Sequence, residues 1–527
     1  MKKVLVKMLA VAAALTVISS TFAGCGSSGE TAQSSESQAS GVTGTASDSS
    51  AAEELKPVKL RFYFPGDKKA AADEVWDALA EKFKDKLNST YEVNWIAFGD
   101  YKDKLMVMAA SGDDWDMNYD GPWQAYTQMQ NKGAYMDIAE LLPKYAPDLY
   151  KKYQETGTLR PATVGDKVVA LPWTLSGSLR PWFDWRSDAA EKAGLKIDRN
   201  SVKTIEDIDR VVHDFKKAYP DQIILALGQN NINQVFQVTL LRDGLMDAEF
   251  HNFYYDINGN ASKLIPIEQT DTFRDTVKII RKWVEDGIIS KDEMTDKMYE
   301  QDKWDNGKTL TRVITHEWSL ATEPFKDPAF KKEYSELYPE NKFYNRTPLG
   351  NCMCVNKNAA NPERALMWMN MMETSQEFYD MVFYGIEGKT YVLNGKAAEY
   401  PSGMTSANSN YMDWAGQWTL WKPQFMRPDA TYGEGFWQRE AEYAKSPVNM
   451  DNPVDGIFYN TDSVKNEVSR RDQIFQEFGR PLIFGLVKSE NIDKAVDEYI
   501  QKQKDAGLDK ILAECQKQLD SFVASKK

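Results

Sequence analysis

The 527-residue sequence predicts an α/β body carried behind an export signal and a flexible tether. Three observations lead there. Composition changes sharply near residue 55, from small polar residues to a mixture rich in aromatic and aliphatic side chains. The segment that follows reads strand, helix, strand. No later apolar run is long enough to cross a bilayer, and a body of this length suggests two or more lobes of about 100–200 residues each.

The first element is residues 1–24. Lys2, Lys3 and Lys7 form a charged start, Met8 to Ile18 an apolar run of 11 residues, and Phe22-Ala23-Gly24-Cys25 resembles a bacterial lipobox. A membrane span would need about 20 apolar residues. The lipobox likeness implies cleavage before Cys25 and a lipid on its sulfur, with Phe22 standing where leucine is usual. Two acyl chains on one residue supply the double anchor that a single chain does not. An ordinary cleaved signal with an incidental cysteine is the alternative.

Residues 25–55 are the second element, a lipidated Cys25 and a Ser/Gly-rich tether. From Gly26 to Glu54 the only large aliphatic side chain is Val42, so nothing offsets the entropy of ordering it. A flexible coil of that length spans roughly 30 Å.

The body is acidic: loss of the three signal lysines takes the formal charge from −14 to −17. Without basic stripes, a nucleic-acid partner is not expected. After Cys25 only Cys352, Cys354 and Cys515 remain, too few and too irregular for a disulfide framework or a structural zinc site. Cys352 and Cys354 flank Met353 in an expected strand, which puts both sulfurs on one face. His213, His251 and His316 are scattered, so neither a metal triad nor His-based nucleophilic catalysis is expected.

In the body, Val58 to Phe64 alternates polar and apolar residues before Pro65-Gly66, a strand running into a turn. Trp76, Leu79, Ala80, Phe83 and Leu87 recur at helical spacing, and Tyr91 to Ile96 returns to a β pattern. Such a βαβ start favours a parallel sheet with a right-handed crossover.

Further along come a helix, a Gly-Asp turn and a strand in Tyr101 to Asp116, then Gly133 to Ile138, Val164 to Pro172, Trp185 to Leu195, Trp283 to Ser290 and Asn306-Gly-Lys308. In this order these segments resemble the family 1 extracellular solute-binding proteins. Asn361 to Asn370, Tyr384 to Tyr391, Ser446-Pro-Val, Gly456-Ile-Phe458, Glu467, Gly485, Ala506-Gly-Leu508 and Glu514 to Leu519 are similar to the LplA-like lipoprotein branch. The likeness covers about residues 56 to 527.

The resemblance implies a type II periplasmic-binding-protein-like clamp, α/β, with two discontinuous lobes joined by a hinge. Its N-terminal lobe is expected in residues 56–172 plus 356–410, and its C-terminal lobe, including a helical region, in 176–350 plus 411–527. It implies no catalysis and no cofactor. Such a receptor closes on solute by a hinge motion and is read by the permease subunits of an ABC importer. It is expected to be a monomer, lipid-anchored at the outer face of the bacterial cytoplasmic membrane.

Fifteen tryptophans and twenty-five tyrosines point to a carbohydrate ligand, an oligosaccharide above all. Flat rings suit the C–H faces of sugars, while carboxylates, amides and guanidinium groups suit their hydroxyls. Expected ligand residues are Asp120 with Trp123, Trp173 after the hinge proline, Trp182, Glu317 with Trp318, and Trp414 and Trp418, with Trp421 in the same run. Each has a plainer role: Asp120 as a helix cap, Trp173 and Trp182 as hinge packing, and the Trp414, Trp418, Trp421 spacing as a helical core stripe. Asn230, Asn231 and Asn233 read as a polar loop that also suits hydroxyls. Trp76, Trp283 and Trp368 read as core.

No P-loop, G-x-S-x-G elbow or dinucleotide fingerprint is present. Asp256-Ile-Asn-Gly-Asn260 has calcium-loop residue types but a misplaced glycine and no terminal glutamate at the required offset, so it reads as a turn and no metal is expected. Two alternatives to sugar capture stand: the same clamp serving a peptide or other non-sugar solute, and a lipid-anchored glycoside hydrolase, whose carboxylate pair is defined by spatial separation alone.

Overall fold

A computed structural model describes residues 55–525 except 176, 229–232, 251, 297, 299, 321–326, 328, 406–407 and 429–433. The side chains of 249, 250, 317 and 318 are outside that description. The export signal, Cys25, the tether, Asn230, Asn231 and His251 therefore lie outside the described residues.

The first lobe is built on a five-stranded sheet ordered Ser89–Ile96, Val58–Pro65, Met117–Asp120, Cys352–Val355, Leu171–Pro172. Alternation in Val58–Pro65 buries Leu60, Phe62 and Phe64 completely, and the helix Ala72–Lys82 sets Val75, Trp76 and Leu79 against them. Val58–Pro65 pairs in parallel with Ser89–Ile96, as the βαβ pattern predicts. The sheet as a whole is mixed, because Cys352–Val355 runs antiparallel to both its neighbours. The reason is the route of the chain: it leaves this lobe beyond Pro172 and returns near Gly350, so the returning strand starts at the end where the others finish.

In that strand the Cys352 and Cys354 sulfurs lie 3.7 Å apart as buried free thiols. Tyr411, Met412, Trp414 and Leu420 also pack into this first core. These residues lie beyond the expected handover at residue 411, and Trp414 meets Phe64 edge-on at 4.9 Å as part of that sheet's cover.

The second core surrounds an antiparallel sheet, Thr311–Thr315, Pro181–Arg186, Lys332–Glu336. Against it lie the helices Ile205–Ala218, Gln234–Asp243 and Asp271–Glu285. Thr204 and Asp207 form a reciprocal capping box that starts the first of these, whose Ile208, Val211, Val212 and Phe215 form the buried stripe. In a third core, Phe253, Tyr255, Ile257 and Leu264 meet Leu508, Ile511, Cys515 and Leu519 of the C-terminal helix Leu508–Ser525. No described helix is long and apolar enough to cross a membrane.

Candidate functional site

A cleft of about 830 Å³ opens where three stretches of chain converge. One wall comes from the turn and helix after Met117–Asp120, with Trp123, Gln124 and Gln128. A second comes from one end of the second-lobe sheet, where Pro181 pairs with Thr315, and from the helix Gln234–Asp243, with Gln234 and Gln237. Asn452 to Asp462 form the third. Charged groups on the lining are mixed, Lys102, Lys132 and Arg346 against Asp247, Glu300, Asp455 and Asp462.

The first wall is shaped from beneath by Asp120. This side chain, expected to touch solute, has no exposed surface and lies beneath the wall. Its Oδ1 accepts the backbone N–H groups of Gly121 at 2.8 Å and Ala125 at 3.0 Å, and its Oδ2 accepts the Tyr135 hydroxyl. The carboxylate thus clamps the turn that displays Trp123. Burial pushes its pKa up to about 7, against the opposing pull of those hydrogen bonds. Gly121 is required here because a Cβ would lie 2.4 Å from the Gly350 carbonyl oxygen.

Trp123 is 50% exposed on this wall. Its Nε1 donates to the Gly350 carbonyl at 2.8 Å and its ring stacks on Phe98 at 5.8 Å, so an open aromatic face is held in a fixed pose. Behind it Tyr119 meets Trp123 edge-on, and Trp418, half-buried, donates from Nε1 to the Tyr119 hydroxyl at 3.2 Å.

The other expected tryptophans separate. Trp173 is buried, stacked on Trp421 at 5.3 Å, with the Arg346 guanidinium over its ring at 5.0 Å; Arg346, not Trp173, reaches the cleft. Trp182 is buried among His316, Tyr334 and Tyr443, next to the lining Pro181. Trp414 is fully buried core, donating to the Val382 carbonyl. Trp414, Trp418 and Trp421 do not form one helical stripe: only Gln417–Leu420 is a short 3-10 turn, and the three rings meet different partners, Phe64, Tyr119 and Trp173. Glu317 and Trp318 belong to the helix His316–Leu320, but their side chains lie outside the described residues. Asn233 is buried as the cap of Gln234–Asp243. At Asp256 the carboxylate accepts the Asn258 N–H at 2.9 Å, a turn as expected.

Sequence reasoning missed the glutamines at 124, 128, 234 and 237 and the whole third wall. It also missed two buried acceptors. Asn345 Oδ1 and Glu300 Oε2 line or adjoin the cleft without a protein hydrogen-bond partner among the described residues. The other Glu300 oxygen accepts from Gln234 Nε2 at 2.8 Å, and burial raises the Glu300 pKa. Buried acceptors without partners are costly unless a ligand donor meets them.

A family model described as bacterial extracellular solute-binding protein matches residues 78–385. A second model, described as a domain of unknown function, matches residues 453–524. A carbohydrate ABC transporter substrate-binding protein of Streptococcus pneumoniae serotype 4 is 26% identical over 490 residues, covering 90% of this chain and 92% of that protein. The crystal structure of the N-glycan transport solute-binding protein NgtS from Streptococcus pneumoniae superposes with a TM-score of 0.74 at 24% identity, over 90% of this chain and 100% of that one. An HMO-binding, ABC-transporter-associated solute-binding protein from Bifidobacterium longum infantis gives a TM-score of 0.65 at 16% identity, over 90% of this chain and 100% of that one. These structures share the two-lobed α/β fold.

Proposed function

The chain belongs to the bacterial extracellular solute-binding proteins, and on that premise we propose that it captures an oligosaccharide in this cleft and presents it to the permease of an ABC importer. The observation that carries the ligand class is the lining itself. A fixed open indole, paired glutamines, mixed charge and the unpartnered acceptors Asn345 Oδ1 and Glu300 Oε2 suit a flat-faced solute rich in hydroxyl donors. A carboxylate- or phosphate-rich solute would bring more acceptors to acceptors. The cleft lies at the upper end of the ~300–1,000 Å³ that ligand sites span, room for more than one sugar ring. The similar pneumococcal protein is itself named for carbohydrate, which supports the same reading.

The site binds without reacting. In this reading Trp123 stacks on the sugar, Trp418 and Asp120 hold the wall behind it, and Trp173 and Trp182 support Arg346 and Pro181. Glu317 and Trp318 complete the proposed ligand set from sequence. Outside the cell, Cys25 carries the lipid that tethers this monomeric receptor beside its permease, raising local concentration. Changing Cys25→Ser should release a protein that still binds.

Incubation with neutral oligosaccharides tests the reading. Ligand at about 100 times Kd should stabilise the protein by about 2.7 kcal/mol, seen as a higher melting temperature, with sugar recovered unchanged. New reducing ends would show a hydrolase, and a response to peptides alone would show the other solute class.

A further inference from the structure

Asn452 to Thr461 contain neither helix nor strand, yet they are fastened on two sides. Toward the first lobe, the Phe458 ring lies on Tyr126 at 5.3 Å, and Arg160 Nη2 donates to the Asn452 carbonyl at 3.2 Å. Gly456 sits at φ +87°, and a Cβ there would stand 2.9 Å from Pro161 Cα, so the backbones touch and only glycine fits. Toward the C-terminal helices, Val454 and Tyr459 are buried in the third core. The Tyr459 and Tyr255 hydroxyls are 2.6 Å apart, and the Gln518 side chain bonds both the N–H and the C=O of Asn460 at 2.8 Å. Between these fastenings the same residues line the cleft through Asn452, Phe458, Asn460 and Asp462.

We infer that the C-terminal region of unknown function is a ligand-binding part: its leading strap, Asn452–Asp462, is the third wall of the glycan cleft and ties the first lobe to the C-terminal helices. The ligand class rests on the proposed function; the tie does not. Lobe closure must then carry or bend this strap, so a solute that touches it is sensed by both bodies at once. The stretch forms almost no regular structure: some of its hydrogen bonds close turns within it, Asp455 N–H to the Asn452 carbonyl and Ile457 N–H to the Val454 carbonyl, while its ends are tied to side chains of other elements, Arg160 and Gln518.

The full chain with Phe458→Ala, and separately with Gly456→Ala, tests this. Calorimetric titration with Man5GlcNAc and kestose is expected to show Kd raised tenfold or more in both variants for whichever sugar the wild type binds. Deuterium uptake without ligand is expected to rise in peptides containing Pro161 and Tyr126 in Gly456→Ala, while the sheet strands keep their protection. Unchanged Kd in both variants overturns the ligand-wall role, and unchanged uptake at Pro161 overturns the tie. A wild type that binds neither sugar nor any other glycan refutes the sugar reading separately, and the ligand-free exchange then decides the strap by itself.

Discussion

Asp120→Asn should stabilise the first lobe at alkaline pH and leave it unchanged in acid. Asp120 is fully buried, and its pKa rises from 3.8 to about 7 because burial penalises the carboxylate more than its hydrogen bonds favour it. A group raised on folding contributes stability that is fully present below its unfolded value and lost as pH climbs through its folded one. A rise of about 3 pH units, at about 1.36 kcal/mol each, places the loss near 4 kcal/mol between pH 4 and pH 8. Asparagine keeps the shape: its Oδ1 still accepts from Gly121 and Ala125, and its Nδ2 donates to the Tyr135 oxygen. The variant should therefore match wild type at pH 4 and exceed it by up to about 4 kcal/mol at pH 8. Urea titrations read by deuterium uptake of a peptide spanning 117–126, both proteins compared at each pH, measure the difference. A gap that stays constant with pH, or a variant weaker at pH 8, would show that Asp120 is not held protonated by burial.

Trp123→Ala should weaken glycan binding by about 1.4 kcal/mol or more, tenfold in Kd, with an unchanged melting temperature, since half of its side chain is already exposed. Trp414→Ala should do the reverse, costing about 3–5 kcal/mol of stability through the cavity it leaves, with affinity retained in the folded fraction; denaturant midpoints and calorimetry separate the two. Glu300→Gln removes a buried acceptor and should weaken binding by about 1–3 kcal/mol. Because the Glu300 pKa is raised by burial, wild-type affinity should fall as the carboxylate is protonated at lower pH, and titrations across pH should show that slope flattened in the variant.

Local pattern was legible in the sequence where one neighbour decided the outcome. Leu60, Phe62 and Phe64 alternate because one face of a strand is buried, and Trp76, Trp283 and Trp368 sit on the inner faces of helices, as their spacing foretold. The order of motifs carried the two-lobed fold. What the sequence did not show was direction. Cys352–Val355 reads as a strand either way, and its antiparallel sense follows from where the chain re-enters the lobe. Trp123 and Trp414 are the same residue type in polar surroundings, yet one is held open by the Gly350 carbonyl and the other is covered by Phe64. Both partners are more than 200 positions away, beyond any local signal. The role of the strap was hidden for the same reason: Gly456-Ile-Phe458 stood out only as part of a family likeness, while the ties that hold it run to Gln518 and Arg160, far away in sequence.

Calorimetric titration of the wild-type protein with a panel of neutral oligosaccharides, set beside peptides and uronic-acid oligomers of similar size, decides whether the cleft is a sugar site. Saturable one-to-one binding of at least one neutral glycan is expected, with no heat from the peptides or acidic oligomers and loss of the glycan signal in Trp123→Ala. Tight binding of a peptide with no glycan response, or glycan binding indifferent to Trp123, would contradict that expectation.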